Sequence, residues 1–255
     1  MPGETLNLTL YWLPEARTAR PLSFYVQVFG PAFPGDAPIE VAKLDSYPGR
    51  GLLRSDTWAP GTLYADTYRL RLASLPPAMA PFVPRLKIGW RDNATDAEIL
   101  PTTQAGAPLE AVILQGGAVI ADRTQQQNEP LAIFSGAIAL HQAEVRRGDD
   151  ALEVRLRWEA LVDLQEDFTV FVHLVEPGTT APALATGDGV PRWGWWPTHA
   201  WVPGHVFEDL YFVPVTDALR QGSYEILLGF YRPADFTRLP VQPSPYPDSY
   251  LLHIR

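Results

Sequence analysis

The chain has 255 residues, 46% hydrophobic and 19% charged, a composition that can bury a core and is not that of a disordered segment. Its formal net charge of −9 offers no positive field for phosphates, which excludes a general nucleic-acid binder. The sequence has no run of about 18 apolar residues that would insert into a membrane, and without Cys it has neither a disulfide framework nor thiolate metal sites.

The apolar runs of the chain are short and mostly alternate with polar residues, as in strands with one buried face. The alternation is strict from Leu6 to Trp12 and again from Leu152 to Trp158. The 26 Pro and 19 Gly that separate the runs favour turns over long helices. In chain order, the sequence predicts further strands at Ser23–Phe29, Tyr64–Leu72, Arg85–Trp90, Ala111–Ile120, Ile133–Val145, Phe168–Val175, Val206–Val215 and Tyr224–Tyr231, and single helical turns at Pro130–Phe134 and Thr216–Arg220.

A set of motifs recurs in the second half of the chain at one constant offset and without a gap. A register that holds across several motifs, with Trp among them, indicates an internal repeat. The flanking predicted strands extend the match on both sides at slightly different offsets. The matched residues are Asp45 with Asp188, Pro48 with Pro191, Gly51 with Gly194, Trp58 with Trp201, Pro60 with Pro203, Gly61 with Gly204, Asp66 with Asp209 and Tyr68 with Tyr211.

The repeat and the short strands predict an all-β chain of two tandem antiparallel β-sandwich modules. Jelly-roll and immunoglobulin-like topologies both fit this pattern. We assign residues 1–118 to the first module, 119–130 to a linker and 131–255 to the second module. Only the second copy is preceded by an additional apolar run, so the first module is predicted to lack its first strand. Either residues 106–120 take that place or the chain is part of a longer protein, and we favour the second interpretation.

Asp45 and Asp188 each begin a motif of the form Asp-x-x-Pro-x-x-Gly. A carboxylate in such a loop is able to bind Ca²⁺, which takes six to eight oxygen ligands. The loop has no cluster of Asp, so a structural Ca²⁺ lacks support. We instead predict that the carboxylate accepts backbone N–H bonds within a turn shaped by Pro and Gly.

The Trp-x-Pro-Gly motifs at Trp58 and Trp201 predict type II turns, because Pro suits the second position of that turn and Gly the third. Each Trp is expected to pack over its turn as a core residue. Asp66 and Asp209 follow on the next predicted strand, where they are expected to anchor the neighbouring loop by hydrogen bonds. Contact with a ligand is the alternative role for these two carboxylates.

The histidines do not predict a catalytic or metal site. His173 lies within a predicted strand and aligns with Gln27, which cannot act as an acid or base, so the shared role is hydrogen bonding. His199 and His205 flank Trp201, but no third ligand stands at a typical metal-site spacing. We therefore predict no metal there.

The segment Arg192–Trp201 contains four Trp, and flat aromatic faces in a β-sandwich loop are suited to stacking on sugar rings. Three of these Trp have apolar counterparts in the first copy and are predicted to be core residues. Only Trp193 has a polar counterpart, Arg50, which predicts an exposed ring. Core packing and contact between modules are the alternatives to ligand binding. The predicted core pairs are Trp195 with Leu52, Trp196 with Leu53 and Trp201 with Trp58, and the candidate ligand-binding residues are Trp193, Arg192, His199, Asp188 and Asp209.

Six segments of the second copy, taken in chain order, form one longer pattern: Asp149–Trp158, Phe168–Leu174, Asp188–Gly194, Trp201–Asp209, Gly222–Tyr231 and Arg238–Pro240. This pattern resembles a module of Chloroflexi-type bacteria that follows the membrane-embedded part of predicted glycosyltransferases of the protein-mannosyltransferase kind. The first copy fits less well, since it lacks counterparts of His173 and Arg238. The resemblance implies an extracytoplasmic accessory module and no particular activity.

These observations predict a non-catalytic, extracytoplasmic accessory module that binds carbohydrate or positions an adjacent membrane-enzyme domain of the same protein. A structural or protein-interaction unit without a small-molecule ligand is the alternative, and a hydrolase is the third and least favoured reading. The chain has no Gly-x-Ser-x-Gly, phosphate-loop or His-Glu-x-x-His motif, so we expect no enzyme. We also expect no cofactor, no nucleic-acid partner and no direct insertion into a membrane.

Overall fold

The computed structural model describes residues 5–32, 36–73, 79–109, 112–115, 129–216, 219 and 223–252. These residues form antiparallel sheets, which confirms the predicted all-β class. The chain divides into two compact units, unit 1 (Met1–Ala121) and unit 2 (Asp122–Arg255). The predicted linker 119–130 lies almost entirely outside the described residues. None of the described helices is long and apolar enough to span a membrane.

Unit 1 contains two sheets whose aromatic residues meet between them. One sheet pairs β1 with β4, and in the other β2 lies between β3 and β5, with β6 and β7 both pairing with β5. Phe24 is almost fully buried, and its ring lies 5.5 Å from that of Trp12 and 5.2 Å from that of Tyr68. The strands are β1 (Thr5–Trp12), β2 (Ser23–Gly30), β3 (Ile39–Ser46), β4 (Tyr64–Arg71), β5 (Arg85–Asp92), β6 (Ala97–Ile99) and β7 (Val112–Gln115).

Unit 2 has a larger pair of sheets, with strand orders β13-β10-β9-β8-β15 and β12-β11-β14-β16. The ring of Phe230 connects the two sheets, because it lies 4.8 Å from Trp158 and 5.2 Å from Phe134. The strands are β8 (Ala132–Phe134), β9 (Ile138–Arg147), β10 (Ala151–Ala160), β11 (Thr169–Val175), β12 (Ala183–Thr186), β13 (Val206–Pro214), β14 (Glu225–Tyr231), β15 (Val241–Gln242) and β16 (Tyr250–Leu252).

Strands that the sequence aligns between the two copies pair in the same register. Leu10 of β1 lies opposite Asp66 of β4, and the aligned residues Leu156 and Asp209 lie opposite each other in β10 and β13. The pairing of β2 with β5 matches that of β11 with β14 in the same way. A shift of one residue would turn every side chain of a strand to the other face, so equal registers give the two units the same inward-facing positions.

The strand expected beside β1 is not supplied by the described part of residues 106–120. Val112–Gln115 form β7, which pairs with β5 in the other sheet. The prediction that residues 106–120 take the place of the missing first strand is therefore wrong for these four residues. Among the described residues β1 pairs with β4 alone, whereas its counterpart β10 pairs with β9 on one side and β13 on the other.

Two local predictions are corrected by the structure. The predicted strand Ile133–Val145 is two strands, β8 and β9, joined at Ser135 and Gly136, whose φ values of 49° and 65° form a tight turn. The predicted helical turn Pro130–Phe134 is wrong, because its last three residues belong to β8. The other predicted helical turn, Thr216–Arg220, lies mostly outside the described residues.

The two Trp-x-Pro-Gly motifs form the turns predicted for them. Gly61 and Gly204 have φ values of 78° and 77°, the positive φ that a type II turn needs at its third position. Both turns close with the backbone bond expected across four residues, at 3.2 Å and 3.0 Å. Trp58 and Trp201 are 5% and 3% exposed, so both are core residues as predicted.

Candidate functional site

The Trp-rich segment of unit 2 begins with a tight turn, Pro191–Gly194, in an uncommon backbone conformation. Arg192, Trp193 and Gly194 have φ values of 52°, 56° and 80°. For the two residues that carry a side chain, this left-handed conformation costs free energy, so other contacts must hold it.

Asp209 supplies those contacts from the neighbouring strand β13. Its Oδ1 accepts hydrogen bonds from the backbone N–H groups of Arg192 and Leu210, both at 3.0 Å. Its Oδ2 accepts a hydrogen bond from the hydroxyl of Tyr211 at 2.5 Å. Asp209 is 2% exposed, and burial raises its pKa to about 6 although these donors oppose the shift. Asp209 is therefore the predicted loop anchor, and we leave it out of the candidate ligand surface.

The aligned carboxylate of unit 1 has the same role. Asp66 accepts the backbone N–H of Gly49 and the hydroxyl of Tyr68. Gly49 and Arg50 lie in the turn Pro48–Gly51 with φ values of 57° and 54°. Both units thus hold a left-handed turn with a carboxylate from the next strand.

The Asp residues that begin the turn motifs do not cap those turns, so the prediction made for them is wrong. Asp45 is more than half exposed and pairs with Lys43 Nζ at 3.0 Å. Asp188 Oδ1 instead accepts the backbone N–H of Val172 at 3.3 Å and lies 3.0 Å from Nε2 of His173. His173 thus lies within ion-pair distance of Asp188, and the hydrogen-bonding role that its alignment with Gln27 predicts stays a prediction.

The four Trp of the segment differ in burial. Trp195, Trp196 and Trp201 are 5%, 0% and 3% exposed, which confirms them as core residues. Trp193 is half-buried, so it offers part of one ring rather than an open platform. The predicted burial is wrong for Leu52, the counterpart of Trp195, because Leu52 is 90% exposed.

The remaining candidate ligand residues of unit 2 have separate partners. His199 is exposed, and its Nδ1 lies 2.8 Å from Oδ1 of Asp167. A further pair that the sequence did not reveal joins His141 Nε2 to Glu159 at 2.6 Å. Thus the structure brings Arg192, Trp193 and Asp209 together, whereas Asp188 and His199 are each held by another residue. No group of three His, Cys, Asp or Glu able to hold a metal ion occurs in the part of the chain that the structure describes.

Unit 1 carries a pocket of about 220 Å³ where the start of β2 meets the ends of β3 and β5. We call it the polar pocket, because hydroxyl, carboxylate, amide and guanidinium groups all border it. Tyr47, 38% exposed, stands at its edge and accepts a hydrogen bond from Asn93 Nδ2 at 2.8 Å. The hydroxyl of Ser23 donates to Asn93 Oδ1 at 3.0 Å. The lining residues are Ser23, Phe24, Tyr25, Asp45, Ser46, Tyr47, Arg91 and Asn93.

Tyr25 forms a fixed wall of the polar pocket. Its hydroxyl donates to Glu98, and burial raises the pKa of Tyr25 to about 12. The ring lies against the backbone of Gly89 on the paired strand, where a Cβ atom would collide with it. Lys87 Nζ lies 5.6 Å from the ring centre. Tyr25 is therefore a neutral, positioned donor whose ring cannot easily move.

Two of the residues that line the polar pocket, Arg91 and Asp45, have ionisable side chains. Arg91 is about half exposed, and its guanidinium lies 3.7 Å from Asp96, a distance that leaves a loose pair. The carboxylate of Asp45 forms the ion pair with Lys43 described above. A charged donor and a charged acceptor thus border the same cavity.

Sequence reasoning missed the polar pocket. Tyr47 was the one available signal, an aromatic residue within the otherwise polar turn motif that begins at Asp45. No protein-family model matches this chain, and no curated protein is found to be similar to it. The resemblance to the glycosyltransferase-linked module therefore depends on the sequence motifs alone.

Proposed function

We propose that the chain is a non-catalytic binding module that takes one carbohydrate ring in the polar pocket of unit 1. The observation that carries the proposal is the half-exposed ring of Tyr47 beside Asp45, Arg91 and Asn93. A sugar ring offers apolar C–H faces to an aromatic side chain and pairs of hydroxyls to planar carboxylate, amide and guanidinium groups. Convergence of these groups on one cavity is the chemistry that such a ligand requires.

The size of the polar pocket favours a small ligand. Its volume of about 220 Å³ is below the roughly 300 Å³ at which typical sites for drug-sized molecules begin. The pocket also opens at the surface, so a ring bound there leaves its neighbours in solvent. We therefore propose recognition of a terminal or single sugar unit with weak affinity, as suits an accessory module.

The accessory role and the extracytoplasmic location are part of the same proposal. They are supported by the resemblance of the motifs in Asp149–Trp158 and Trp201–Asp209 to the module that follows the membrane part of predicted glycosyltransferases. An accessory module that holds a sugar beside a neighbouring membrane-enzyme domain needs binding groups and no reactive pair.

The test is a titration of the ¹⁵N-labelled protein with a panel of soluble mono- and oligosaccharides, followed by amide chemical shifts. We expect one sugar class to shift signals around Ser23, Tyr47 and Asn93 in a saturable way. Tyr47→Ala should abolish the shifts, whereas Trp193→Ala, which alters the site expected from the sequence, should leave them unchanged. Shifts that vanish only in Trp193→Ala would overturn the assignment to unit 1. A panel without any saturable shift would overturn the sugar proposal.

A further inference from the structure

Unit 1 has a second cavity, of about 250 Å³, which we call the tryptophan cleft. Trp12, Trp58 and Trp90 line it, with ring centres 4.5 Å apart for Trp12 and Trp90 and 6.1 Å apart for Trp58 and Trp90. Leu13 and Ile99 also line the cleft and are 61% and 41% exposed. An apolar cavity with exposed apolar residues at its border is typical of a surface that another element covers.

Strand β1 ends at Trp12, which lines the tryptophan cleft. Within the described ranges it pairs with β4 only, so its opposite row of backbone N–H and C=O groups has no strand partner there. Exposed edge strands usually carry charged residues or Pro that prevent pairing with another chain. The eight residues Thr5–Trp12 include neither, and Tyr11 is 66% exposed.

Unit 2 shows what fills this place. Its counterpart of β1, strand β10, pairs with β9 on the edge that β1 leaves open, and β8 follows as the next strand of that sheet. Phe134 of β8 is fully buried and lies 5.8 Å from Trp158 and 5.2 Å from Phe230. Trp158 and Phe230 align with Trp12 and Trp90, two walls of the tryptophan cleft.

We propose that unit 1 accepts a β-hairpin from a different protein, with one strand pairing antiparallel to β1 and an aromatic side chain entering the tryptophan cleft. The expected partner has the chemistry of the β8–β9 hairpin of unit 2. It has a short strand with a central or terminal Phe, a tight turn, and a strand of alternating apolar residues. The backbone bonds to β1 supply pairing, and the cleft selects the aromatic residue. The proposal is independent of sugar binding, because none of its contacts involves the polar pocket.

The probe is a synthetic peptide of residues 130–147 of this chain, which carries β8 and β9. We expect saturable binding to the full chain, seen as a change in Trp fluorescence, and slower hydrogen exchange at the backbone amides of β1. A peptide with Phe134→Ala should bind at least roughly tenfold more weakly, since an aromatic anchor contributes most of such an interface. A peptide with Ala143→Pro should not bind, because Pro interrupts the strand pairing.

Two protein variants separate this site from others. Tyr11→Lys places a charge on the exposed face of β1 and is expected to weaken peptide binding, whereas Tyr47→Ala in the polar pocket should leave it unchanged. Unchanged exchange at the β1 amides in the presence of excess peptide would overturn the proposal. Protection of those amides in a dimer of the protein alone, seen by sedimentation, would overturn it as well, because the occupant would then be a second copy.

Discussion

The buried carboxyl of Asp209 is expected to make the stability of unit 2 depend on pH in the direction opposite to that of a salt-bridged acid. Burial raises its pKa to about 6 in the folded protein, against about 3.9 for Asp in an unfolded chain. The folded state therefore binds a proton more tightly than the unfolded state does. As the pH rises from about 4 to about 6, the free energy of unfolding contributed by this group decreases, and it stays lower above that range.

The size of the effect follows from the shift. Two pKa units correspond to about 3 kcal/mol between the low and the high end of the range. Asp209→Asn removes the ionisation but keeps an oxygen that accepts the N–H of Arg192. We therefore expect the difference in the free energy of unfolding between the variant and the wild type to grow by about 3 kcal/mol in favour of the variant as the pH rises from 4 to 7.5. Urea unfolding of both proteins across that range, followed by Trp fluorescence, measures the difference.

A second variant tests the cause of the shift. The hydroxyl of Tyr211 donates to Asp209 and favours the charged carboxylate, so Tyr211→Phe should raise the pKa further and move the decrease in stability to higher pH. A difference between wild type and Asp209→Asn that stays constant from pH 4 to pH 7.5 would refute the reasoning. It would mean that the three hydrogen bonds outweigh the burial of the charge.

Four further substitutions test the packing and the turns by urea unfolding. Gly229→Ala places a Cβ atom 2.7 Å from the ring of Phe171 and should lower the free energy of unfolding by about 1–3 kcal/mol. Trp195→Ala should lower the free energy of unfolding by about 3–5 kcal/mol, because its side chain is buried. Leu52→Ala, at the aligned but 90% exposed position, should change the free energy of unfolding by less than about 0.5 kcal/mol. Equal effects of the two substitutions would contradict the observed burial. Arg50 has a φ of 54°, so Arg50→Gly should raise the free energy of unfolding by up to about 1 kcal/mol, and a decrease would show that its side chain matters more than its backbone strain.

The strands with strict alternation were predicted to within one or two residues. Leu6–Trp12 lies within Thr5–Trp12, and Leu152–Trp158 lies within Ala151–Ala160. The two longest strands that the sequence missed, Ile39–Ser46 and Ala183–Thr186, are largely exposed edge strands. They bury too little side chain to impose an apolar pattern, so their pairing depends on a neighbour already in place.

The candidate site was harder to predict because its contacts join distant parts of the chain. The anchoring role of Asp209 followed from its place after a recurring turn, which is local information. The bond between Asn93 and Tyr47 instead links residues that are 46 positions apart, and nothing in either neighbourhood marks the other. The error at Leu52 has a similar origin, because an apolar residue is buried only where surrounding elements cover it.

Equal register does not give the two units equal surfaces. In unit 2, Phe134 fills the space beside Trp158 and Phe230, and all three side chains are fully buried. In unit 1, the aligned rings of Trp12 and Trp90 contact each other and border a cavity. Backbone hydrogen bonds set the register, whereas elements outside the shared strands determine which core positions are covered. A binding surface in a chain of this kind is therefore best sought where aligned positions differ in burial, and both cavities proposed as sites lie in unit 1.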